Sequence, residues 1–349
     1  MQQSASHNAS FHLLQVSEII ALTSDAVEIT LEVPNDLKPL FEFVPGQHLL
    51  VEVDLDGKTY RRSYSLCNAP GDALSLGVKR VPGGLISTYL TTQIKIGDCL
   101  KVSLPLGSFR LNPDAAHLVL IGAGSGITPL LSMYRQVNRQ KRRVSLLYGN
   151  QTRKSTMFLE SLTTHNTYAH VSHFYSREQT AGHRFGRINN ESLSSFFAQY
   201  PDELGADAYY LCGPADMIET VRLFLEGKGI STNIIHSEYF KAPDHPELVL
   251  QADEASPTCH MRVILEGDCF EVNWSAEAKS LLDQLCKNNI NAPFSCKKGV
   301  CGSCRAKVIQ GSVNLYANYA LTDEELLSGY TLTCQCVPTT PELEISFDD

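Results

Sequence analysis

The sequence predicts a multidomain chain with an antiparallel β-barrel, a doubly wound α/β domain and a small C-terminal α+β domain. Three observations carry this. Residues 9–112 hold short runs of alternating apolar and polar residues separated by turn signals. From 113 to 240 the strands become apolar, and helical patterns follow them. A polar stretch with three prolines, KAPDHPELVLQADEASPT at 241–258, then reads as a linker and sets residues 259–349 apart.

The bulk numbers narrow the function. A chain of 349 residues fits two or three domains. A formal charge of −9 argues against nucleic acid as a partner. The opening MQQSASHNAS has neither a basic start nor an apolar core, so residues 1–8 read as a flexible tail rather than a signal peptide. No apolar run approaches the ~20 residues that span a bilayer. These features predict a cytoplasmic protein, where 11 cysteines point to metal or catalysis rather than to disulfides.

In the first segment AVEITLEV, QHLLVEVDL, ALSLGVKRV and CLKVSLPL alternate as short strands, and Asp56-Gly57-Lys58 marks a turn. RRSYSLCNAP (61–70) contains Arg62-x-Tyr64-Ser65, which resembles the R-x-Y-S motif of the ferredoxin–NADP reductase family. The chemistry suits a flavin. Arginine pairs with a phosphate in a forked geometry, an aromatic ring stacks on the isoalloxazine, and a hydroxyl bonds N5, the hydride acceptor. GGLISTYL (83–90) resembles the family's second flavin element, with Gly84 and Ser87 at the pyrophosphate. The resemblance implies FAD, with FMN as the alternative.

HLVLIGAGSGITPLLSMYRQVN (117–138) runs from strand through glycines 122, 124 and 126 into a helix, with Thr128 as expected N-cap and Pro129 at its first position. It resembles the family's G-x-G-x-G-x-x-P, in which glycines admit a pyrophosphate to a helix N-terminus. RVSLLYGN precedes an expected helix near 154–164, HVSHFYSRE follows, and DAYYLCGPADMIETVRLFLEGKG is strand, turn and helix. CGPADM (212–217) resembles the family's C-G-P element, so the resemblance implies Cys212 beside the nicotinamide, with Gly213 and Pro214 shaping the turn. In YSREQTAGHRFGR (175–187), Ser176, Arg177 and Arg184 are expected on a 2′-phosphate, which favours NADPH; Glu178 on a ribose hydroxyl is the NADH alternative. HSEYF (236–240) matches the family's terminal aromatic with Phe240, and Glu238 is a candidate proton relay.

SCKKGVCGSC (295–304) spaces Cys296, Cys301 and Cys304 as C-x4-C-x2-C, with Cys334 further on. This matches plant-type [2Fe–2S] ligation, whereas zinc sites usually pair two C-x2-C knuckles. Gly299 and Gly302 let the loop curl and aim N–H groups at sulfur. Residues 259–349 resemble a plant-type ferredoxin, which implies a β-grasp fold and Cys334, rather than Cys336, as fourth ligand. MRVILEG and CFEVNW read as a hairpin, Ser275 as the cap of a helix over 276–288, and Thr322 with Glu325 as a capping box. Cys259, Cys269, Cys286 and Cys336 read as core thiols.

Together these parts predict an electron-transfer enzyme. NAD(P)H delivers two electrons as a hydride, a flavin takes both, and a cluster near roughly −400 mV passes them singly to an acceptor. The segment NYALTDEELLSGYTLTCQCVP (318–338) looks like that of phenylacetyl-CoA epoxidase reductases, a resemblance that implies a diiron oxygenase partner. Reductases of Rieske-type and steroid-hydroxylating oxygenases share the layout. A zinc-stabilised or redox-sensing module without turnover is the alternative from another class. The region 259–349 carries 12 acidic and 7 basic residues, yet Lys297, Lys298 and Arg305 border the cysteine loop, where an acidic partner rim would be steered.

Overall fold

The computed structural model describes residues 11–163, 167–242 and 258–348. The expected tail over 1–8 and all but the ends of the expected linker lie outside them. The chain divides into two compact units, one over His12–Phe240 and one holding the C-terminal region.

The first unit begins with β1 (Phe11–Thr23), β2 (Ala26–Glu32), β3 (His48–Leu55), β4 (Lys58–Ser65), β5 (Leu74–Lys79), α1 (Leu85–Thr92) and β6 (Cys99–Ser103). The strands order as β4-β3-β6-β1-β2-β5, and an antiparallel bridge between Leu66 and Leu76 closes the sheet into a barrel. Asp56 (φ 50°) and Gly57 (φ 73°) are both left-handed, the conformation a two-residue hairpin turn needs. That turn fixes the β3/β4 register from Leu55 opposite Lys58 back to His48 opposite Ser65. Leu14, Ile29, Leu49, Val51, Leu76 and Val102 fill the interior.

The α/β part comprises β7 (His117–Ala123), α2 (Ile127–Arg139), β8 (Arg143–Asn150), α3 (Leu159–Leu162), β9 (Ala169–Tyr175), β10 (Arg184–Phe185), α4 (Asn190–Gln199), β11 (Ala208–Gly213), α5 (Ala215–Gly227) and β12 (Ile235–Tyr239). Its parallel sheet runs β10-β9-β8-β7-β11-β12. The order reverses beside β7, which opens a crevice at the carboxyl ends of β7 and β11. Two expectations change. The helix near 154–164 shrinks to α3, because Phe158 is left-handed (φ 56°) and Thr152–Ser155 closes a separate turn through its own capping box. The cap of α2 is Gly126 rather than Thr128, because Gly124–Gly126 already coils into the helix, and the Thr128 hydroxyl donates to the Ser125 carbonyl.

Barrel and sheet share one core. Ala26, Cys67 and Phe109 pack with Leu120, Leu130, Met133 and Tyr134. A Cβ on Gly77 would lie 2.4 Å from Thr128 Cγ2, and one on Gly46 1.9 Å from the Phe109 carbonyl oxygen, so both glycines mark close approach. Across the seam Ser132 donates to the Asn68 carbonyl (2.6 Å). Arg135 donates to the Cys67 carbonyl (3.0 Å) and the Asn68 side chain.

The second unit contains β13 (His260–Leu265), β14 (Asp268–Asn273), α6 (Leu281–Lys287), β15 (Arg305–Gln310), β16 (Val313–Leu315), α7 (Asp323–Leu327), β17 (Tyr330–Leu332), β18 (Cys336–Pro338) and β19 (Glu342–Ser346). Its sheet is β14-β13-β19-β15-β17, with β13 and β19 parallel and the other neighbours antiparallel. Leu281, Leu282 and Leu285 of α6 join the core under it, giving the expected β-grasp arrangement. The β13/β14 hairpin and the Thr322–Glu325 capping box are as expected. Helix α6 starts later than expected, capped by Ser280, while Ser275 sits in a turn whose carbonyl accepts from Ala278 N–H. Cys259 and Cys336 are buried; Cys269 and Cys286 are exposed, because they occupy the outward faces of β14 and α6. Among the described residues no helix is long and apolar enough to cross a membrane.

Removing the seam contact should weaken the first unit. Arg135→Ala is expected to cost about 1–2 kcal/mol, since it strands a buried carbonyl. Lys58→Ala on the exposed hairpin should stay within about 0.5 kcal/mol. Urea midpoints at constant m-value check both.

Candidate functional site

Three strand ends and one barrel edge converge on the crevice. In register, Gly122 of β7 lies beside Cys212 of β11, and Cys212 beside Glu238 of β12. From the barrel, His48 brings Nδ1 within 4.0 Å of Glu238 Oε1. This is not an ion pair. Burial pushes Glu238 up to about 8 and His48 down to about 4, so both are uncharged near neutral pH. Burial, with Glu238 adding to it, also pushes the Cys212 thiol well up. Ser65 is buried opposite His48.

On the barrel side, the exposed Arg62 guanidinium donates to the Arg61 carbonyl (2.7 Å) and has no carboxylate partner among the described residues. Burial pushes the half-buried Tyr64 hydroxyl up, and Arg62 opposes that shift. Tyr64 packs with the barrel core, which includes Ile86 and Leu90 of α1. Gly84 caps α1, and a Cβ there would lie 2.6 Å from Ser87 Oγ. The Ser87 hydroxyl accepts from Val81 N–H (3.1 Å) and donates to the Gly84 carbonyl (3.3 Å). It braces the turn, while the first N–H groups of α1 have no intrahelical acceptor. An exposed guanidinium, a ring and an open helix N-terminus suit a flavin dinucleotide.

On the sheet side, Gly124 is left-handed (φ 55°), and its carbonyl accepts from Tyr148 Oη (3.0 Å). A Cβ on Gly126 would lie 2.1 Å from the Cys212 carbonyl oxygen, and one on Gly122 2.6 Å from Leu130 Cδ1. The glycine turn therefore packs directly on the Cys212–Gly213 corner, and Pro214 caps α5. This cradle fits a pyrophosphate. Ser176 and Arg177 continue from β9, their N–H groups bonded to the Asn150 and Gln151 carbonyls (3.0 and 2.9 Å). Arg184 points elsewhere: it donates to Ser195 Oγ (3.0 Å) and Gln199 Oε1 (2.5 Å) and lies over Phe174 and Phe196. Glu178 accepts from Arg153 N–H and Thr180 Oγ1 (both 2.9 Å), which hold its carboxyl below the usual range, with Arg153 and Lys154 adding to that. Phe240 is 44% exposed at the end of the unit.

In the second unit the four expected thiols fall into two couples. Cys296 and Cys301 form one couple, with Cys296 N–H on Cys301 Sγ (3.5 Å), Lys298 N–H on Cys296 Sγ (3.3 Å) and Ser303 Oγ on Cys301 Sγ (3.2 Å). Cys304 and Cys334 form the other, a thiol–thiol contact that raises Cys304 and lowers Cys334, and Cys334 also feels Cys296. The bond from Cys301, together with backbone N–H groups, pushes Cys296 down to about 5. The loop needs left-handed residues at Lys297, Gly299 and Gly302. A Cβ on Gly299 would meet the Ala317 carbonyl oxygen at 2.8 Å. Gln335 Nε2 ties the loop to the Cys334 segment through the Lys297 carbonyl (2.9 Å). Among the described residues no three ligands gather on a single ion. Two thiol couples with N–H donors fit a two-iron cluster better than one zinc. Lys297 lies over Phe294 (4.4 Å), and Arg305 over Tyr330 (3.7 Å) while paired with Glu325 (3.2 Å), so Arg305 offers little free charge to a partner.

Pattern reading did not single out His48 or Arg153. Strand alternation hid His48 among core positions, and Arg153 lies outside the charged loop. A count back from the Asp56-Gly57 turn would have set His48 opposite Ser65.

Comparison with known proteins matches each region to a domain family. Residues 13–111 match an oxidoreductase FAD-binding domain, 120–223 an oxidoreductase NAD-binding domain and 258–339 a 2Fe-2S iron-sulfur cluster binding domain. The chain is 33% identical to one component of the 1,2-phenylacetyl-CoA epoxidase of Escherichia coli (strain K12), over 97% of this chain and 98% of that one. It is 30% identical to the ferredoxin reductase component of 3-ketosteroid-9-alpha-monooxygenase from Rhodococcus rhodochrous, covering 98% of each. The structure of phthalate dioxygenase reductase, described as a modular structure for electron transfer from pyridine nucleotides to [2Fe-2S], aligns at TM-score 0.61 and 26% identity over 97% of this chain and 98% of that one. The chain belongs to this family of FAD- and [2Fe–2S]-containing NAD(P)H oxidoreductases.

Two outcomes check the sites. Cys334→Ser should lose the cluster and Cys336→Ser should keep it, read as iron and acid-labile sulfide per chain. Because burial raises Glu238, the folded state binds its proton more tightly than the unfolded chain does. Its contribution to stability is therefore full below the unfolded value and lost as pH rises toward about 8. Glu238→Gln should flatten the fall in stability between about pH 5 and 8, measured by urea denaturation.

Proposed function

We propose that this reductase takes a hydride from NADPH and passes single electrons through its cluster to a diiron oxygenase of the phenylacetyl-CoA epoxidase kind. The observation that carries the reading is the relationship to the phenylacetyl-CoA epoxidase component along nearly the whole length of both chains. The FAD supplies the two-electron to one-electron conversion when bound. The chain's residues bind and orient. In this reading Arg62 and the α1 N-terminus at Gly84–Ser87 would take the flavin's phosphates, and Tyr64 and the Ser65 hydroxyl would serve its ring and N5. Gly122, Gly124, Gly126 and Thr128 let the nucleotide's pyrophosphate approach the start of α2. Cys212, Gly213 and Pro214 form the corner on which the nicotinamide rests, and Phe240 closes the strand end. Glu238, uncharged at neutral pH, would place no anion beside the Cys212 corner.

For the 2′-phosphate, Ser176 and Arg177 are joined by Arg153 and Lys154, which lie beside Glu178. Arg184 contributes by anchoring β10 to α4. In this reading Cys296, Cys301, Cys304 and Cys334 would hold the cluster, which would supply one-electron transfer when bound.

Two measurements test it. Arg177→Ala should raise the KM for NADPH at least about tenfold, a loss near 1.4 kcal/mol, while the KM for NADH moves far less; an equal effect on both removes the NADPH assignment. Partner identity is read by crosslinking the reduced protein in lysate of its own cells, followed by mass spectrometry. Recovery of a carboxylate-rich diiron oxygenase supports the proposal, and recovery of a Rieske oxygenase replaces the partner.

A further inference from the structure

Among the described residues Phe158 is the only apolar one with a left-handed backbone (φ 56°, ψ 27°). An aromatic residue rarely adopts this conformation, and its surroundings must fix it there. The ring is buried in the core that barrel and sheet share. It fills a notch at Gly77 of β5, where an added Cβ would stand 3.1 Å from Phe158 Cζ. On the sheet side the Arg135 guanidinium of α2 lies 5.7 Å from the ring centroid. Phe158 is thus wedged between a barrel strand and a sheet helix.

The segment that leads into Phe158 is short and tied at both ends. The turn Thr152–Ser155 closes through its own capping box, and Thr156 Oγ1 donates back to the Thr152 carbonyl (3.0 Å). Only Thr156 and Met157, both buried, separate this turn from Phe158. At its start the segment is stitched to the loop after β9. The N–H groups of Ser176 and Arg177 donate to the Asn150 and Gln151 carbonyls (3.0 and 2.9 Å), and Arg153 N–H donates to the Glu178 carboxylate (2.9 Å). Residues 152–158 therefore form a strap from the charged loop to the seam, and its exposed side chains are Arg153 and Lys154.

We propose that Phe158 is a positioning residue for nucleotide choice: its ring pins the strap to the barrel, and the pinned strap presents Arg153 and Lys154 to the 2′-phosphate of NADPH. Its role rests on the NADPH reading above, since NADH lacks that phosphate. Long basic side chains lose rotamer freedom when they grip a phosphate. A turn already fixed at both ends leaves less order to be lost on binding. The fixed turn also answers Glu178, whose carboxylate would repel a phosphate on its own; Arg153 and Lys154 act on it from the strap.

The test uses holoenzyme with ferricyanide as acceptor and compares the two nucleotides. Phe158→Ala should raise the KM for NADPH at least about fivefold, while the KM for NADH and both kcat values move less than about twofold. Phe158→Leu should act in the same direction and serves if Phe158→Ala fails to fold. Val144→Ala, in the same core but at the amino end of β8, should lower stability and leave the ratio of the two KM values as in the wild type. Amide hydrogen exchange without nucleotide adds a readout independent of turnover. Either Phe158 variant should speed exchange at Arg153 and Ser155 at least about tenfold and leave Leu120 and Ile121 of β7 unchanged. KM values that rise together for both nucleotides, or exchange in the turn at the wild-type rate, overturn the proposal. A wild-type holoenzyme that treats NADPH and NADH alike would instead overturn the NADPH reading, and the exchange rates would still decide whether Phe158 holds the turn.

Discussion

The seam between the barrel and helix α2 is the constraint on which the cleft depends. Neither side builds the site alone: Ser65 and His48 come from the barrel, Cys212 and Glu238 from the sheet. Their meeting is fixed by a shared apolar core and by glycines at 46 and 77, where a methyl group would collide across the contact. Ser132 and Arg135 add polar bonds to carbonyls that would otherwise be buried unpaired. Close packing without gaps makes such a seam stiff, and hydride transfer demands stiffness because small misplacements of the donor are expensive. The same tight burial makes Glu238 and His48 neutral, so the seam sets the electrostatics of the cleft as well as its geometry.

The C-terminal unit solves a different problem. In the proposed reading four sulfurs would carry negative charge side by side, and backbone N–H groups and a serine hydroxyl already point at two of them, Cys296 and Cys301. Aiming those donors forces the chain into left-handed turns at three positions, two of them glycine. The third, Lys297, is held by its neighbours: its carbonyl accepts from Gln335 and its ammonium rests on Phe294. Thr333 bonds the Cys304 carbonyl with both its N–H and its hydroxyl (3.1 and 3.0 Å), tying the second thiol couple to the first loop.

Much of this was legible in the sequence because the chemistry needs particular residues at particular spacings. Three cysteines in one loop, three glycines before a helix and the Arg62-x-Tyr64-Ser65 strand each announce a ligand. What stayed hidden depends on contacts between distant elements. Thr128 reads as a helix cap until the glycine turn is seen to coil already. Arg184 reads as a phosphate ligand until Ser195 and Gln199 are seen to hold it. Cys269 and Cys286 fall on strand and helix patterns, yet face outward. His48 sits in an apolar run, and only the hairpin register and strand β12 set it beside Ser65 and Glu238.

The central claim is that electrons entering at the sheet edge leave through the cysteine loop of the same chain. The most direct measurement is an anaerobic titration of the holoenzyme with NADPH, following flavin absorbance and the electron paramagnetic resonance signal of the reduced cluster together. The account predicts that NADPH bleaches the flavin and that the cluster signal rises without any added mediator. A bleached flavin beside a cluster that stays oxidised would contradict it.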